Sequence, residues 1–323
     1  MMNSSKMLFM MTMWLGIIIS ISSNNWIMIW CGLEITLVSI VPQMINKSNN
    51  SSESMMKYFI VQSISSSILM LSLMTMIMSG DYNYSYLMTT ALLIKMGVAP
   101  FHNWVLTVIE ELEHYMIMII LTVNKIAPVT IMSYFNNKLN LIIMLTILTG
   151  SIMALNQSSM KKIIGYSSIF NMGFMITALK NSMMWIMYLF VYSILISYLL
   201  MYMYLNKIKF INQMIMSEML VTKMTMWMNM LSMGGMPPLI GFSIKYMIMM
   251  YMIKSKMIVT ISIMIMASLM VMFFYLRMMF SSFMINSLIN KNNLLKINKI
   301  SSWMLIINLI SLPILMISTN FMT

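Results

Sequence analysis

Apolar residues occur along the chain in long runs, which short breaks rich in Asn, Ser and Lys separate. A helix needs about 20 apolar residues to cross the hydrocarbon core of a bilayer, where the backbone must satisfy its own hydrogen bonds. The pattern therefore predicts an all-α polytopic membrane protein with about eleven transmembrane helices. The predicted spans are residues 7–23, 26–45, 57–79, 86–109, 115–135, 141–157, 163–179, 183–205, 224–253, 257–280 and 303–320.

The composition excludes several classes of protein. Of the 323 residues, 60% are hydrophobic and 8% are charged, whereas soluble proteins carry about 25% charged residues. Such a chain cannot cover a water-exposed globule, so a soluble enzyme is excluded. A nucleic-acid-binding protein is excluded too, despite the net charge of +12. The single cysteine, Cys31, excludes an internal disulfide and a thiolate metal site.

The basic residues predict the orientation in the membrane. With eleven spans, twelve of the 19 Lys and Arg residues fall in breaks, or at the span ends next to them, on the side of the N-terminus. These are Lys6, Lys47, Lys57, Lys161, Lys162, Lys207, Lys209, Lys223, Arg277, Lys291, Lys296 and Lys299. The opposite side has Lys138, Lys180, Lys254 and Lys256. The positive-inside rule then places the N-terminus on the inner face and the C-terminus on the opposite face.

A weak internal repeat links the two halves of the chain. Met-Gly-Val-Ala-Pro at 96–100 resembles Met-Gly-Gly-Met-Pro at 233–237, at an offset of 137 residues. Five spans in each half would make the copies inverted, and Gly/Pro-interrupted helices at matching positions are typical of a midplane ion site. We predict two inverted five-helix repeats with broken helices, residues 1–135 and 136–280, then a loop and a C-terminal helix in 281–323. The alternative is two ordinary proline kinks.

Four ionisable residues lie inside predicted spans: Glu34, Lys95, Lys125 and Lys245. An ionised group at the bilayer centre costs about 3 kcal/mol on insertion scales, so the four side chains should face a polar interior. The functional interpretation is a proton relay, in which Glu34 holds Lys95 protonated and withdrawal of Glu34 favours proton release. The alternative is static ion pairing, or lysines that snorkel towards the interface.

The two histidines have open interpretations. His102 follows Lys95 by seven residues, which in an unbroken helix is nearly the same face. It is either a further member of the relay or a side chain that is hydrogen-bonded at the proline break. His114 lies in an acidic loop, which resembles a metal site in composition only and which we interpret as solvated. The acidic residues of this loop are Glu110, Glu111 and Glu113.

Four segments resemble one known family. They are Trp-Cys-Gly-Leu-Glu-Ile at 30–35, Leu-Leu-Ile-Lys-Met-Gly-Val-Ala-Pro-Phe-His-Asn-Trp at 92–104, Asn-Lys-Ile-Ala-Pro at 124–128 and Gly-Gly-Met-Pro-Pro-Leu-Ile-Gly-Phe-Ser-Ile-Lys at 234–245. In this order they resemble the chain 2 family of mitochondrial NADH–ubiquinone oxidoreductase. The 53 methionines and the preference for Lys over Arg also resemble the product of an AT-rich animal mitochondrial genome, as in arthropods.

The resemblance implies an antiporter-like, proton-pumping core subunit in the membrane arm of respiratory complex I. It implies two inverted repeats, each with a broken helix. It also agrees with eleven spans, because animal members lack three N-terminal helices of the bacterial form. Carried over by motif, Glu34 and Lys95 are the coupled pair, Lys125 is the central relay lysine and Lys245 is the exit-side lysine.

Cofactors, partners and location are implied by the same resemblance. NADH, FMN, the iron–sulfur clusters and ubiquinone would be bound by other subunits, so no cofactor and no isolated redox activity are expected in this chain. The expected partners are other membrane-arm and accessory subunits and lipids of the inner membrane, with cardiolipin as a candidate; no nucleic acid is expected. The multi-pass chain would lie in the mitochondrial inner membrane, with its N-terminus in the matrix and its C-terminus in the intermembrane space.

The second half departs from the first, and two competing functions remain. At the offset of 137, Glu34 falls on Asn171, so the second half is expected to lack a carboxylate switch of its own. One competing function is a stand-alone or multisubunit cation/proton antiporter. It is disfavoured because related antiporters keep the three N-terminal helices. The other is a purely structural membrane subunit, against which the four charges inside spans argue.

Overall fold

The computed structural model describes residues 4–45, 49–79, 85–135, 139–216 and 220–286, together with residues 303, 306 and 308. Within these residues the regular elements are helices, apart from one isolated bridge between Ser159 and Phe210. Six helical segments are long and apolar enough to cross a membrane, so the chain is an all-helical membrane protein. They are Ser4–Ser22, Trp26–Met44, Asn50–Met78, His114–Met132, Ser182–Leu205 and Ile258–Phe280.

The chain divides into two compact units, Met1–Ile142 and Ile143–Thr323. The helices of the first unit are α1 (Ser4–Ser22), α2 (Trp26–Met44), α3 (Asn49–Ser79), α4 (Ser85–Met96), α5 (Asn103–Glu111), α6 (His114–Leu121) and α7 (Val123–Met132). The next helix, α8 (Asn140–Ala154), starts just before the boundary. The second unit continues with α9 (Met160–Ala178), α10 (Ser182–Leu205), a 3₁₀ turn (Ile211–Met216), α11 (Leu220–Gly234), α12 (Ile240–Lys254) and α13 (Ile258–Asn286).

Three of the predicted spans are each divided into two helices. The interruptions predicted around 97–100 and 234–238 are confirmed, since α4 and α11 end there and α5 and α12 begin beyond them. A third interruption, one residue long at Thr122, separates α6 from α7 and is not among the predictions. The count of eleven spans, the inverted repeats and their boundaries stay predictions.

Some of the predictions fall outside the described residues. The last predicted span, 303–320, is described at three positions only. The same applies to several basic residues on which the predicted orientation depends, namely Lys47, Lys138, Lys291, Lys296 and Lys299. The orientation of the termini therefore stays a prediction.

Helices α1 and α2 pack with their backbones in close approach. A Cβ atom added at Gly16 would lie 2.9 Å from the carbonyl oxygen of Gly32, and one added at Gly32 would lie 2.7 Å from the backbone nitrogen of Ser20. Small residues at such contacts are typical of helix pairs in membranes. Because Glu34 lies two residues beyond Gly32, this contact fixes the helix that presents the carboxylate.

Candidate functional site

The first break is a built helix end at Lys95. Gly97 has a φ of +69°, a left-handed conformation that favours glycine. Its N–H donates to the carbonyl of Ile94, and the N–H of Val98 donates to the carbonyl of Leu93, both at 3.1 Å. These two bonds form the Schellman pattern of a helix C-terminus. The segment is therefore a capped helix end and not the simple proline kink of the alternative interpretation.

Neutral side chains bind the last carbonyl groups of α4. The amide of Gln62, on α3, donates to the carbonyl oxygen of Lys95 at 3.3 Å. The indole N–H of Trp104, on α5, donates to the carbonyl oxygen of Ile94 at 3.1 Å. Gln62 is buried and Trp104 is half-buried, so these donors replace the water that the carbonyl groups would otherwise need. Sequence reasoning missed both residues.

The side chain of Lys95 lies in the interior of the first unit. It is 6% exposed, and the half-buried carboxylate of Glu34 lies close enough to attract its ammonium. In the part of the chain that the structure describes, the two groups do not form a direct ion pair. A proton that moves between them therefore needs an intermediate carrier.

Lys125 is buried at the third residue of α7, just after the interruption at Thr122. It is 5% exposed, and its backbone N–H donates to the carbonyl of Thr122 at 3.2 Å. The neighbouring Asn124 donates from its side-chain amide to the hydroxyl oxygen of Tyr58 at 3.0 Å. The interruption at Thr122 therefore places Lys125 near the start of the short helix α7. Its neighbour Asn124 joins this helix to α3.

One face of α3 connects the surroundings of the two lysines. Tyr58 and Gln62 are four residues apart, which places them on the same face of the helix. Tyr58 binds Asn124 and packs its ring 5.9 Å from that of Trp104, while Gln62 binds the helix end at Lys95. The contacts thus run from the residue next to Lys125 to the backbone of Lys95. Tyr58 and Gln62 lie outside every motif and carry no charge, so nothing in the sequence pattern marked them.

His102 lies at the N-cap of α5, where its Nδ1 is 3.2 Å from the carbonyl oxygen of Pro100. The helix is broken between Lys95 and His102, so the same-face argument, which assumed an unbroken helix, does not apply. The observed contact is the one expected for a side chain hydrogen-bonded at the break. A role for His102 in the relay stays a prediction.

Two residues of the predicted acidic loop, Glu110 and Glu111, lie in the last turn of α5, and Glu111 forms an ion pair with α3. The ammonium of Lys57 lies 2.6 Å from a carboxylate oxygen of Glu53 and 3.5 Å from one of Glu111. Among the residues that the structure describes, no three or more His, Cys, Asp and Glu side chains are grouped as for a metal ion. The contact brings the start of α3 and the end of α5 to the same end of the first unit.

The second break repeats the backbone pattern of the first. Gly235 has a φ of +92°, its N–H donates to the carbonyl of Ser232 at 3.1 Å, and the N–H of Met236 donates to the carbonyl of Leu231 at 3.0 Å. Gly235 therefore corresponds to Gly97, and the offset between the breaks is 138 residues.

The predicted offset of 137 is wrong at this point. Consecutive glycines and prolines at 234–238 allow two frames, and the Met-Gly-x-x-Pro pattern selects Gly234 as the match to Gly97. The left-handed backbone decides for Gly235. At the corrected offset Glu34 falls on Met172. The match with Asn171 therefore no longer supports the expectation that the second half lacks a carboxylate switch.

Lys245 closes the end of α11 with its own side chain. Its ammonium donates to the carbonyl oxygens of Met233 at 2.6 Å and Gly234 at 3.0 Å. It also lies 5.0 Å from the ring centroid of Phe170 and 5.8 Å from that of Phe174, within the range of cation–π attraction. Lys245 is 4% exposed, so these contacts replace hydration of the charge.

A small cavity adjoins Lys245 inside the second unit. Its volume is about 20 Å³, and its lining includes Lys245, Asn171, Tyr188 and Ser232. The hydroxyl of Tyr188 donates to the amide oxygen of Asn171 at 2.8 Å. A cavity of this size holds about one water molecule, and its lining combines these polar side chains with apolar ones. Asn171 therefore shares a small cavity with Lys245, although it is not the counterpart of Glu34.

Comparison with known proteins agrees with this architecture. The family model described as NADH:quinone oxidoreductase/Mrp antiporter, transmembrane, matches residues 23–271. A protein of Anopheles gambiae named NADH-ubiquinone oxidoreductase chain 2 is 36% identical, over 95% of each chain. Proteins of the same name from Locusta migratoria and Mus musculus are each 34% identical, over 99% and 84% of this chain and 98% and 84% of their own.

The chain belongs to the NADH-ubiquinone oxidoreductase chain 2 family. The resemblance stated from its motifs is thereby confirmed. Solved structures show the same fold at low identity. A chain of respiratory complex I from Thermus thermophilus with bound aureothin gives a TM-score of 0.81 at 18% identity, covering 97% of this chain and 77% of that one. A chain of an archaeal membrane-bound sulfane sulfur reductase gives 0.80 at 17% identity, covering 97% and 73%.

Proposed function

We propose that this member of the chain 2 family is a proton-translocating core subunit in the membrane arm of complex I, in the mitochondrial inner membrane. One observation carries the proposal. Three lysines lie beside interruptions of apolar helices, with exposures of 6% for Lys95, 5% for Lys125 and 4% for Lys245. A purely structural subunit would have no need of three charges at a depth where each costs about 3 kcal/mol.

In the first unit, Glu34, Lys95 and Lys125 are the proposed proton carriers. Glu34 attracts the ammonium of Lys95 without touching it, so withdrawal of Glu34 would remove that attraction. This attraction supports the assignment of Glu34 and Lys95 as the coupled pair. Tyr58 and Gln62 fix the polar surroundings between Lys95 and Lys125.

In the second unit, Lys245 is the proposed carrier on the exit side. Electrons would pass through other subunits, which would bind NADH, FMN, the iron–sulfur clusters and ubiquinone. This chain would then hold no cofactor and would have no redox activity when isolated. The proposed orientation places the N-terminus in the matrix, and it is supported by the excess of basic residues in the breaks on that side.

The test measures proton pumping and NADH oxidation together, in vesicles that contain the assembled complex. Lys95→Met and Glu34→Gln should each lower proton uptake about tenfold or more, and should lower turnover as well if pumping and electron transfer are tightly coupled. The matched control is Lys256→Met, because Lys256 is an exposed lysine outside the helices. Assembly is checked by the yield of the complex on a native gel.

Two results would contradict the proposal. If Lys95→Met, Glu34→Gln and Lys125→Met all pump at the rate of the Lys256→Met control, the buried charges are structural. If the chain is recovered apart from any NADH-oxidising assembly and exchanges sodium ions for protons, the antiporter interpretation replaces the proposed one.

A further inference from the structure

The ammonium of Lys245 lies where three helices of the second unit meet. Lys245 itself is on α12. The carbonyl oxygens that accept from it, at 2.6 and 3.0 Å, belong to Met233 and Gly234 at the end of α11. The rings beside it belong to Phe170 and Phe174, which are four residues apart on one face of α9. Three separate segments of the chain therefore supply the groups around one charge.

Close backbone packing fixes this arrangement. A Cβ atom added at Gly241 would collide with the carbonyl oxygen of Ser232, so the start of α12 lies directly against the end of α11. A Cβ atom added at Gly235 would lie 3.0 Å from Cδ of Lys245, so the lysine side chain passes directly over this glycine. The surroundings of the ammonium are therefore part of the fold and do not depend on the lysine side chain alone.

The charge of Lys245 is compensated by neutral groups. Carbonyl oxygens and the faces of aromatic rings are both electron-rich, and such faces attract a cation within about 6 Å. From residue 143 onward the sequence has one acidic residue, Glu218, which lies outside the described residues. The described part of this unit therefore offers no carboxylate side chain to pair with the ammonium. Two carbonyl groups and two rings face the charge in its place.

Carbonyl oxygens and ring faces together select one class of ligand. Carbonyl oxygens replace the hydration shell of potassium ions in channel filters, and aromatic rings recognise ammonium groups. Divalent cations instead take carboxylate ligands. The chemistry around Lys245 therefore fits a monovalent cation. An ammonium fits best, because its N–H groups donate to the carbonyl oxygens.

The first break provides a comparison, because neutral donors already bind its carbonyl groups. The carbonyl oxygen of Ile94 accepts from the indole of Trp104, and that of Lys95 accepts from the amide of Gln62. A free cation would have to displace these donors. We therefore expect a cation to bind at the second helix end and not at the first.

We infer that the carbonyl groups of Met233 and Gly234, with the rings of Phe170 and Phe174, form a binding site for a monovalent cation. The ammonium of Lys245 fills this site as a tethered ligand. A tethered ammonium can lose and regain a proton, but it cannot leave. In the proposed function, on which this consequence rests, Lys245 thereby makes the second unit selective for protons over other monovalent cations.

The test removes the tethered cation and supplies a free one, in the full chain purified in detergent. Lys245→Ala leaves the carbonyl groups and both rings in place, and amide exchange at Gly235 and Met236 should be faster than in wild type. Ammonium chloride should slow this exchange again, because a cation that binds the intact helix end stabilises it. With a Kd of about 10 mM, about 100 mM ammonium should slow the exchange about tenfold, as measured by hydrogen–deuterium exchange.

Three controls separate binding from a general effect of salt. Tetramethylammonium chloride gives the same ionic strength but has no N–H group to donate, so it should leave the exchange in Lys245→Ala unchanged. Wild type should not respond to ammonium, because Lys245 already fills the site. In Lys95→Ala, exchange at Gly97 and Val98 should not respond to ammonium either, because neutral donors bind the carbonyl groups there.

Lys245→Ser is the second variant if Lys245→Ala does not fold, since its hydroxyl can bind the backbone of its own helix and it leaves similar space. Equal effects of ammonium and tetramethylammonium in the variant that folds would overturn the inference. A response of wild type as large as that of the variant would overturn it too. Because the readout is amide exchange and not pumping, cation binding can fail while the proposed function holds, and the reverse.

Discussion

The two helix breaks have the same backbone conformation and differ in the side chains that bind the last carbonyl groups. Each break ends a helix with a left-handed glycine, Gly97 or Gly235, and with the same pair of backbone hydrogen bonds. In the first unit, neutral donors from Gln62 and Trp104 bind the last carbonyl groups. In the second, the ammonium of Lys245 binds them.

A charge can change at the first break without disturbing the backbone, whereas at the second break it cannot. Lys95 contributes its carbonyl group to the helix end, so its ammonium can change partner while the end of α4 stays capped. Lys245 contributes its ammonium, so loss of its proton removes donor capacity directly from the end of α11. The first break suits a group that switches partners, and the second couples protonation to helix geometry.

The largest expected effect distinguishes the two glycines. Gly97→Ala should lower the free energy of unfolding by about 3 kcal/mol, from left-handed strain of about 1–2 kcal/mol and from overpacking. A Cβ atom at Gly97 would lie 2.1 Å from Val105 Cγ2. Gly235→Ala should show the strain alone, since its Cβ would meet the flexible chain of Lys245 at 3.0 Å.

Reversible unfolding of the purified chain in detergent measures both variants. Adding Val105→Ala to Gly97→Ala should relieve the overpacking and leave the strain, which makes the double variant the control. Equal destabilisation by Gly97→Ala and Gly235→Ala would mean that packing does not distinguish the breaks.

An intermediate effect is expected at Lys245. Lys245→Met removes the one ammonium that the carbonyl groups of Met233 and Gly234 share, and loss of an interaction with a charged group costs about 1.5–3 kcal/mol. Amide exchange at Gly235 and Met236 should therefore accelerate about 100-fold, as measured by hydrogen–deuterium exchange. Lys245→Arg keeps a donor and should accelerate exchange less. No change in Lys245→Met would show that the ammonium does not hold the helix end.

The smallest effect is expected at Gln62. Gln62→Leu removes one neutral donor from the carbonyl group of Lys95, which is worth about 1 kcal/mol, while the bond from Trp104 remains. Exchange at Gly97 and Val98 should accelerate about fivefold. The matched control is Gln157→Leu, because Gln157 is a half-buried glutamine of the second unit whose side chain does not bind the end of α4. If Gln62→Leu accelerates exchange as much as Lys245→Met does, the neutral and the charged donor contribute equally to their helix ends.

The sequence alone predicted the features that hydrophobicity and backbone chemistry determine. Runs of apolar residues predicted helices close to their observed bounds, such as 163–179 for Met160–Ala178. Glycine and proline predicted the breaks at 97–100 and 234–238. The position of Lys95, Lys125 and Lys245 inside apolar spans predicted that their side chains face the interior, and each of the three is buried.

Other features depend on tertiary contacts that have no local pattern. Gln62 and Trp104 resemble ordinary span residues until α3 and α5 bring them to the end of α4. The interruption at Thr122 has no glycine or proline at its own position, so composition does not mark it. The frame of the second break was ambiguous because Gly and Pro each occur twice, and only the backbone angle at Gly235 decides it.

The contact of Lys245 with the end of α11 has an electrical consequence. The aligned peptide dipoles of a helix place about half a negative charge at its C-terminus. With Lys245 protonated, the group of atoms carries about half a positive charge, and with Lys245 neutral it carries about half a negative charge. The Born self-energy of a buried charge rises with the square of that charge. Two states that each carry about half a charge therefore avoid the costly state with one full charge. The helix end thereby halves the largest net charge at this site, while each proton still changes that charge by one unit.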